Sequence, residues 1–286
     1  MRAFLAALLA VAAAARAQNS IKDPGAPWPV FVDLPRATAM GGAHAAIATG
    51  NDAITVNPAG IAQQRRYHLE VDGLLDSRFP AQALIASIVD TTTSAVGTGF
   101  LFSRWGSGQP GGRGEGWYGA LAYSYAAGGS YFVGGETKYY RFATPDGPVR
   151  SFAQDVGLLV KRGGFAYAVV VQNVSTSAIP NFPVSSTVGI AWGNDRDWHL
   201  AFDYKADLSD LKNVKHRGSG GLEFLIGDAL ALRGGATWDA THDLWWASAG
   251  LALLTEKGGA QIVLRRRLNG DRFDQFLMAG ITLYLE

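Results

Sequence analysis

Cysteine is absent from all 286 residues, which excludes disulfide frameworks, thiolate metal sites and cysteine nucleophiles together. Charge is scarce as well. Only 17% of residues are charged, against roughly 25% in ordinary soluble domains. The 25 Lys+Arg and 24 Asp+Glu nearly cancel to a net +1, so there is neither a field nor a basic arm with which to grip nucleic acid. Long apolar runs are missing too: past Ala15 no segment approaches the roughly 18 apolar residues of a membrane helix. What the chain does have is glycine, 36 residues of it, and a hydrophobic fraction of 48% at a mean hydropathy of only +0.06. Apolar residues are therefore diluted by polar ones at short range, which is the pattern of strands and not of membrane helices.

The N-terminus reads as an export signal. Arg2 is a minimal positive region, Ala3 to Ala15 is an unbroken small-apolar run, and Ala15-Arg16-Ala17 fits the A-x-A cleavage pattern. Residues 1–17 are expected to be a cleaved signal peptide. The run is too short to anchor as a helix, so any membrane residence of the remaining chain must be as a barrel.

From Tyr67 onward the period is two. Tyr67, Leu69 and Val71 alternate with His68, Glu70 and Asp72, and Leu200, Phe202 and Tyr204 alternate with His199, Ala201, Asp203 and Lys205. One face is greasy and often aromatic; the other carries Gly, Ala, Ser and scattered charge. Marking each run predicts strands near 67–76, 82–90, 96–104, 117–126, 131–142, 152–161, 164–173, 185–193, 197–207, 216–226, 229–238, 244–254, 258–267 and 273–285. Their even number, and a length of about ten residues each, match a tilted strand crossing a bilayer. The predicted connections alternate between short, such as Arg162–Gly163, and long, such as Trp105–Gly116, Ala143–Ser151 and Val174–Val184. That alternation is expected of a barrel with one periplasmic and one external rim. The fold class is an all-β, fourteen-stranded antiparallel transmembrane barrel over 67–286, and a soluble periplasmic β-protein is the alternative.

Residues 18–66 do not alternate. Arg36 to Ala48 is small-residue rich, and Asn51 to Ala62 follows with Met40, Ile47, Ile54, Val56 and Ile61 giving apolar content that a floppy tail would not need. The segment is expected to fold into the lumen as a hatch. Gly41 and Gly42 permit close approach or positive φ. Asn57, Pro58, Ala59 and Gly60 are expected to mark the hand-over to the first strand, in the periplasmic half. Pro58 would open a short helix and Asn57 would cap it. Arg36 should find a wall carboxylate, with Glu70 or Asp72 the nearest in sequence.

The pair RATAMGGAHAAIA (36–48) and NDAITVNPAGIA (51–62) resembles the N-terminal signature of the FadL-like outer-membrane proteins, a superfamily that includes long-chain fatty-acid transporters and the PorV/PorQ-type proteins associated with type IX secretion. VVVQNVS (169–175), GLEFLIGDALALRGGATWD (221–239) and the closing AGITLYLE extend the likeness. The resemblance implies a fourteen-stranded barrel whose N-terminus plugs the lumen. This chain departs from the fatty-acid transporters in its shorter loops and in ending Tyr284-Leu285-Glu286 rather than on an aromatic.

No catalytic constellation can be assembled. The histidines are His44, His68, His199, His216 and His242. His68 and His199 share strand faces with Glu70 and Asp203, but two groups do not make a site. G-x-S-x-G, H-E-x-x-H and G-x-x-x-x-G-K are all missing, so neither an enzyme nor a cofactor is expected. At the parity opposite the greasy positions lie Glu70, Asp72, Glu136, Lys138, Asp155 and Lys161. Further along come Asp203, Lys205, Glu223, Arg233, Arg265 and Arg267. Both signs in one lumen suggest mutual pairing and a gripped hatch, or simple solvation of the interior. The expected function is passive transport of a small hydrophobic or amphipathic compound through a plugged outer-membrane barrel. The alternative is a non-transporting scaffold for a secretion or surface-assembly complex, with outer-membrane lipid as a partner in either case.

Overall fold

The computed structural model describes residues 33–76, 81–106, 115–144, 147–174, 183–227, 229–240, 243–269 and 275–285. The expected signal peptide lies outside these, as does His242. Fourteen strands run β1 Tyr67–Asp76, β2 Ala81–Asp90, β3 Val96–Gly106, β4 Gly116–Ala126, β5 Tyr131–Thr144, β6 Gly147–Arg162 and β7 Phe165–Gln172. They continue as β8 Ser185–Asn194, β9 Trp198–Asp207, β10 Lys215–Ile226, β11 Leu230–Asp239, β12 Leu244–Thr255, β13 Gly258–Arg267 and β14 Gln275–Leu285. Each pairs antiparallel with its sequence neighbour, and β1 pairs with β14 to close the ring, from Tyr67↔Leu285 to Asp76↔Phe276. Closure leaves no sheet edge, so every strand finds its backbone partners without water.

The period of two sorts the side chains. Val71, Leu121, Val156, Val188, Phe202, Leu232, Leu251, Ile262 and Ile281 project outward and exposed, forming an apolar belt round the whole ring. Aromatic residues edge the belt at both rims. Phe165, Trp192 and Trp198 stand together at one rim, with ring centroids 6.1 and 4.8 Å apart. Phe102, Trp117, Tyr139 and Phe152 form a contiguous row at the other, with spacings of 6.0, 5.2 and 4.8 Å. An all-round apolar exterior between aromatic edges is a surface for lipid and not for water.

The connections at 91–95, 127–130, 163–164, 195–197, 227–229 and 256–257 form a short-turn rim, and both ends of the barrel sequence lie there. The opposite rim carries the longer ones, 107–115, 173–184, 208–214 and 268–274. One expectation fails: Ala143–Ser151 is not a long loop. β5 and β6 continue beyond their neighbours in register, from Phe142↔Val149 to Thr144↔Gly147. Backbone pairing extends the hairpin even though Pro148 and Arg150 interrupt the apolar pattern from which the boundary was read.

The N-terminal segment forms helix α1 (Pro35–Ala39), helix α2 (Asp52–Val56) and a 3-10 turn at Pro58–Gln63. Helices this short do not persist alone; burial holds them. Leu34, Ala37, Ala39, Met40, Ala43, Ala45, Ala46, Ala48, Ala53, Ile54, Ala59 and Ile61 are all 0% exposed. The segment touches inward-facing glycines on strands right round the ring. A Cβ built on Gly99 (β3), Gly134 (β5), Gly157 (β6), Gly189 (β8), Gly221 (β10), Gly235 (β11) or Gly250 (β12) would meet it at 2.1–3.1 Å. Contact on all sides puts residues 33–64 within the ring, and the bare glycine wall is what makes room.

Candidate functional site

Inside the segment, Gly41 and Gly42 both take positive φ, +67° and +83°, where a side chain would be strained. Asn57 Oδ1 accepts from the Ala59 N–H at 3.1 Å and its Nδ2 donates to the Ala45 carbonyl at 2.9 Å. Pro58 begins the 3-10 turn that leads into β1. Gly60 has a different reason to be glycine: a Cβ there would lie 2.0 Å from the Ala48 carbonyl oxygen. Ala59 is seated by its own carbonyl, which accepts from the Ser124 hydroxyl at 2.9 Å.

Arg36 pairs with Glu223 on β10, not with Glu70 or Asp72 as its sequence neighbourhood suggested. Its Nε and Nη2 donate to the two Glu223 oxygens at 2.9 and 2.7 Å, and Nη1 donates to Thr49 at 2.9 Å. The α1 helix lies against β11–β14, and from there the Arg36 side chain reaches β10, so nearness in sequence to β1 does not choose the partner. Glu223 is the hub of the arrangement. It also accepts from Arg233 Nε at 2.6 Å and stands 3.3 Å from His199 Nδ1, whose Nε2 lies 3.2 Å from Asp195. Arg233 donates onward to Gln261 at 3.1 Å, and Gln261 to Glu70 at 2.9 Å. Asp72 packs over Gly280 on β14.

The other charged wall residues form separate groups. Lys138 donates to Asp155 at 2.6 Å, with Glu136 at 4.0 Å. One Asp203 oxygen accepts from both the His44 and Ala45 N–H groups at 2.8 Å. Lys205 donates to Gln172 at 2.6 Å, and Gln172 to the Thr55 carbonyl at 3.3 Å. Arg265 donates to Thr237 at 3.0 Å, and Thr237 to the Gly41 carbonyl. Lys161 faces Asp195 at the short-turn rim, 3.1 Å away, and Arg267 donates to the Asn269 carbonyl at 2.6 Å. Asp203 thus holds the segment's backbone directly, and Lys205 and Arg265 reach it through Gln172 and Thr237.

Away from the strands, burial decides protonation. The Asp52 carboxyl, which accepts from the Ala37 N–H at 3.2 Å, is pushed up to about 6 by burial, with Arg36 opposing. His44 is held well below the ordinary histidine value by burial, with Arg36 adding to the effect. His199 as donor and Lys161 as neighbour hold the turn residue Asp195 low. Among the described residues no group of three or more potential ligands could hold a metal ion.

Two cavities flank the segment. The larger, about 430 Å³, opens at the short-turn rim between Arg36, Asp52, Arg66, His68, Glu223 and Arg233. The smaller, about 70 Å³, lies on the other side, against Gly41, Gly42, Lys205, Arg217 and Arg265. Both are polar.

The sequence reading missed an inward-facing apolar cluster in the long-connection half. Trp105, Tyr118, Tyr140 and Phe142 from β3, β4 and β5 are buried there with Leu74, Ile85, Phe276 and Met278. Trp105 stacks on Phe142 at 5.4 Å and Tyr118 on Tyr140 at 5.5 Å. The signal was present as consecutive aromatics. Trp117-Tyr118 and Tyr139-Tyr140 must put one ring on each face of the sheet.

No protein-family model matches the sequence, and no curated protein matches it. Solved structures do match. The CymD monoaromatic hydrocarbon channel superposes with a TM-score of 0.63 at 13% identity, covering 90% of this chain and 98% of that one. The Ralstonia pickettii toluene transporter TbuX gives 0.62 at 12%, covering 87% and 97%. A Pseudomonas aeruginosa FadL homologue gives 0.60 at 10%, covering 90% and 99%. At such identities the likeness is one of fold, and it extends over nearly the whole of each chain.

Proposed function

We propose that this protein is an outer-membrane channel for the passive passage of a small hydrophobic or amphipathic compound, with residues 33–64 as its plug. The observation that carries the reading is the inward cluster of Trp105, Tyr118, Tyr140 and Phe142. The lumen of a water-filled porin is polar; here one side of the long-connection half is aromatic and aliphatic, a lining suited to an apolar guest. Of the solved barrels of the same fold, one is named a monoaromatic hydrocarbon channel and another a toluene transporter, which supports the same substrate class. The scaffold alternative gains no observation of its own, because the outward apolar residues form a belt and not a cluster on one rim.

In the state described the cluster is packed shut and the segment fills the middle of the ring, so passage requires the segment to shift. The contact most directly placed to govern that shift is Arg36–Glu223. The test is uptake by a Gram-negative host stripped of its own hydrophobic channels. Cells expressing the protein should take up a labelled monoaromatic hydrocarbon faster than a sugar of similar size, and Trp105→Ala with Phe142→Ala should lower the hydrocarbon rate alone. Equal rates for the two solutes, or no gain over the empty host, would refute the reading.

A further inference from the structure

A row of arginines lies on the outer surface, away from the lumen. In register across four strands run Arg104 on β3, Trp117 on β4, Arg141 on β5 and Arg150 on β6. All three arginines are exposed, and each stands two residues farther toward the long-connection rim than an outward aromatic of its own strand. The pairs are Phe102 with Arg104, Tyr139 with Arg141, and Phe152 with Arg150. Two residues of strand are about 7 Å. The guanidinium row therefore sits one step beyond the aromatic row, at the depth where acyl chains give way to headgroups.

Among the described residues these charges are not matched. Arg141 and Arg150 are direct cross-strand partners, and like charges placed so repel. Glu115, the outward carboxylate nearest in sequence to this row, forms no ion pair among the described residues, and neither do the three arginines. Asp146, between β5 and β6, lies outside the described residues. A cationic row beside a ring platform, unbalanced among the described residues, suits an anion from outside.

We propose that Arg104, Arg141 and Arg150 bind the phosphate groups of a phosphorylated glycolipid in the outer leaflet, with its acyl chains lying along Phe102, Tyr139 and Phe152. Guanidinium forks match phosphate oxygens in pairs. Long connections face the cell exterior in barrels of this kind, so the row meets the outer leaflet and not the periplasmic one. The site depends on the barrel's orientation and not on what the lumen passes.

The test is native mass spectrometry of the detergent-purified barrel with a bisphosphorylated diglucosamine lipid and with the same lipid after dephosphorylation. Wild type should prefer the phosphorylated form. An arginine near an anionic lipid surface contributes about a fivefold change in binding, so R104Q/R141Q/R150Q should lose about a hundredfold. R162Q/R196Q, at the opposite rim, should bind as wild type does, and heat-modifiable migration checks folding of each. If the triple variant does not assemble, R141Q and R150Q alone should each lose about fivefold. Equal binding of both lipids by wild type, or a retained preference in the variants, overturns the proposal. So does saturation of the site by inorganic phosphate alone, which would make it a free-phosphate site.

Discussion

Arg36 on α1 grips both carboxylate oxygens of Glu223 on β10, at 2.9 and 2.7 Å, across 187 residues of sequence. The two partners do not contribute alike. Arg36→Ala leaves Glu223 still held by Arg233 and His199, whereas Glu223→Ala strands two guanidinium groups. Removing one partner of a buried pair costs about 3–5 kcal/mol. Glu223→Ala should therefore expose the N-terminal segment to protease far more than Arg36→Ala, while both barrels stay heat-modifiable. Equal digestion of the two variants would show that Glu223 is not the hub.

Loosening the segment should also open the lumen. In liposome swelling with small solutes, Arg36→Ala and Asn57→Ala should both admit solute faster than wild type. Asn57→Ala loses a cap worth about 1 kcal/mol and the bond to Ala45, so its effect should be the smaller. If all three proteins swell alike, the segment is a spacer and does not gate.

The glycine wall makes a sharper test, because the damage is done from the barrel side. A Cβ at Gly235 would lie 2.2 Å from the Met40 carbonyl carbon, and one at Gly157 would lie 2.1 Å from Asn57 Oδ1. Gly235→Ala and Gly157→Ala should each weaken seating by about 1–3 kcal/mol, read as faster proteolysis within residues 33–64. Gly73→Ala, with nothing within 4 Å, should be indistinguishable from wild type.

Asp52 gives the seating a pH dependence. Its folded value of about 6 lies above the ordinary 3.8, so the folded state holds the proton more tightly than the unfolded one. The contribution is full below pH 3.8 and is lost as pH rises through 6. The segment should resist protease better at pH 5 than at pH 8, and Asp52→Asn should shrink that difference. An unchanged pH profile in Asp52→Asn would assign the dependence to other groups.

The strands were legible because lipid outside and packed residues inside impose a strict period of two, as in Tyr67–Asp72 and Leu200–Lys205. Legibility failed where both faces are apolar: Trp117-Tyr118 and Tyr139-Tyr140 carry rings on each side, and alternation alone cannot reveal an inward aromatic cluster. It failed again at 147–151, where pairing and not hydrophobicity extends β6. The wall charges were readable by parity, but their partners were not. Arg36 reaches Glu223 because α1 is seated against β11–β14, beside β10, and that placement is not written in spacing along the chain.

The bare inner wall has a consequence for the order of assembly. A ring closed at the β1–β14 seam without residues 33–64 inside would enclose an empty lumen walled by glycine backbone on β3, β5, β6, β8, β10, β11 and β12. Water would fill such a lumen, and the apolar side chains of residues 33–64, Met40, Ile54 and Ile61 among them, would lose the burial that the wall gives them. The favoured route wraps the growing sheet round its own N-terminus, so that the last strand meets the first over an occupied interior. Residues 33–64 then act as a mandrel, setting the curvature of the sheet before the seam is made.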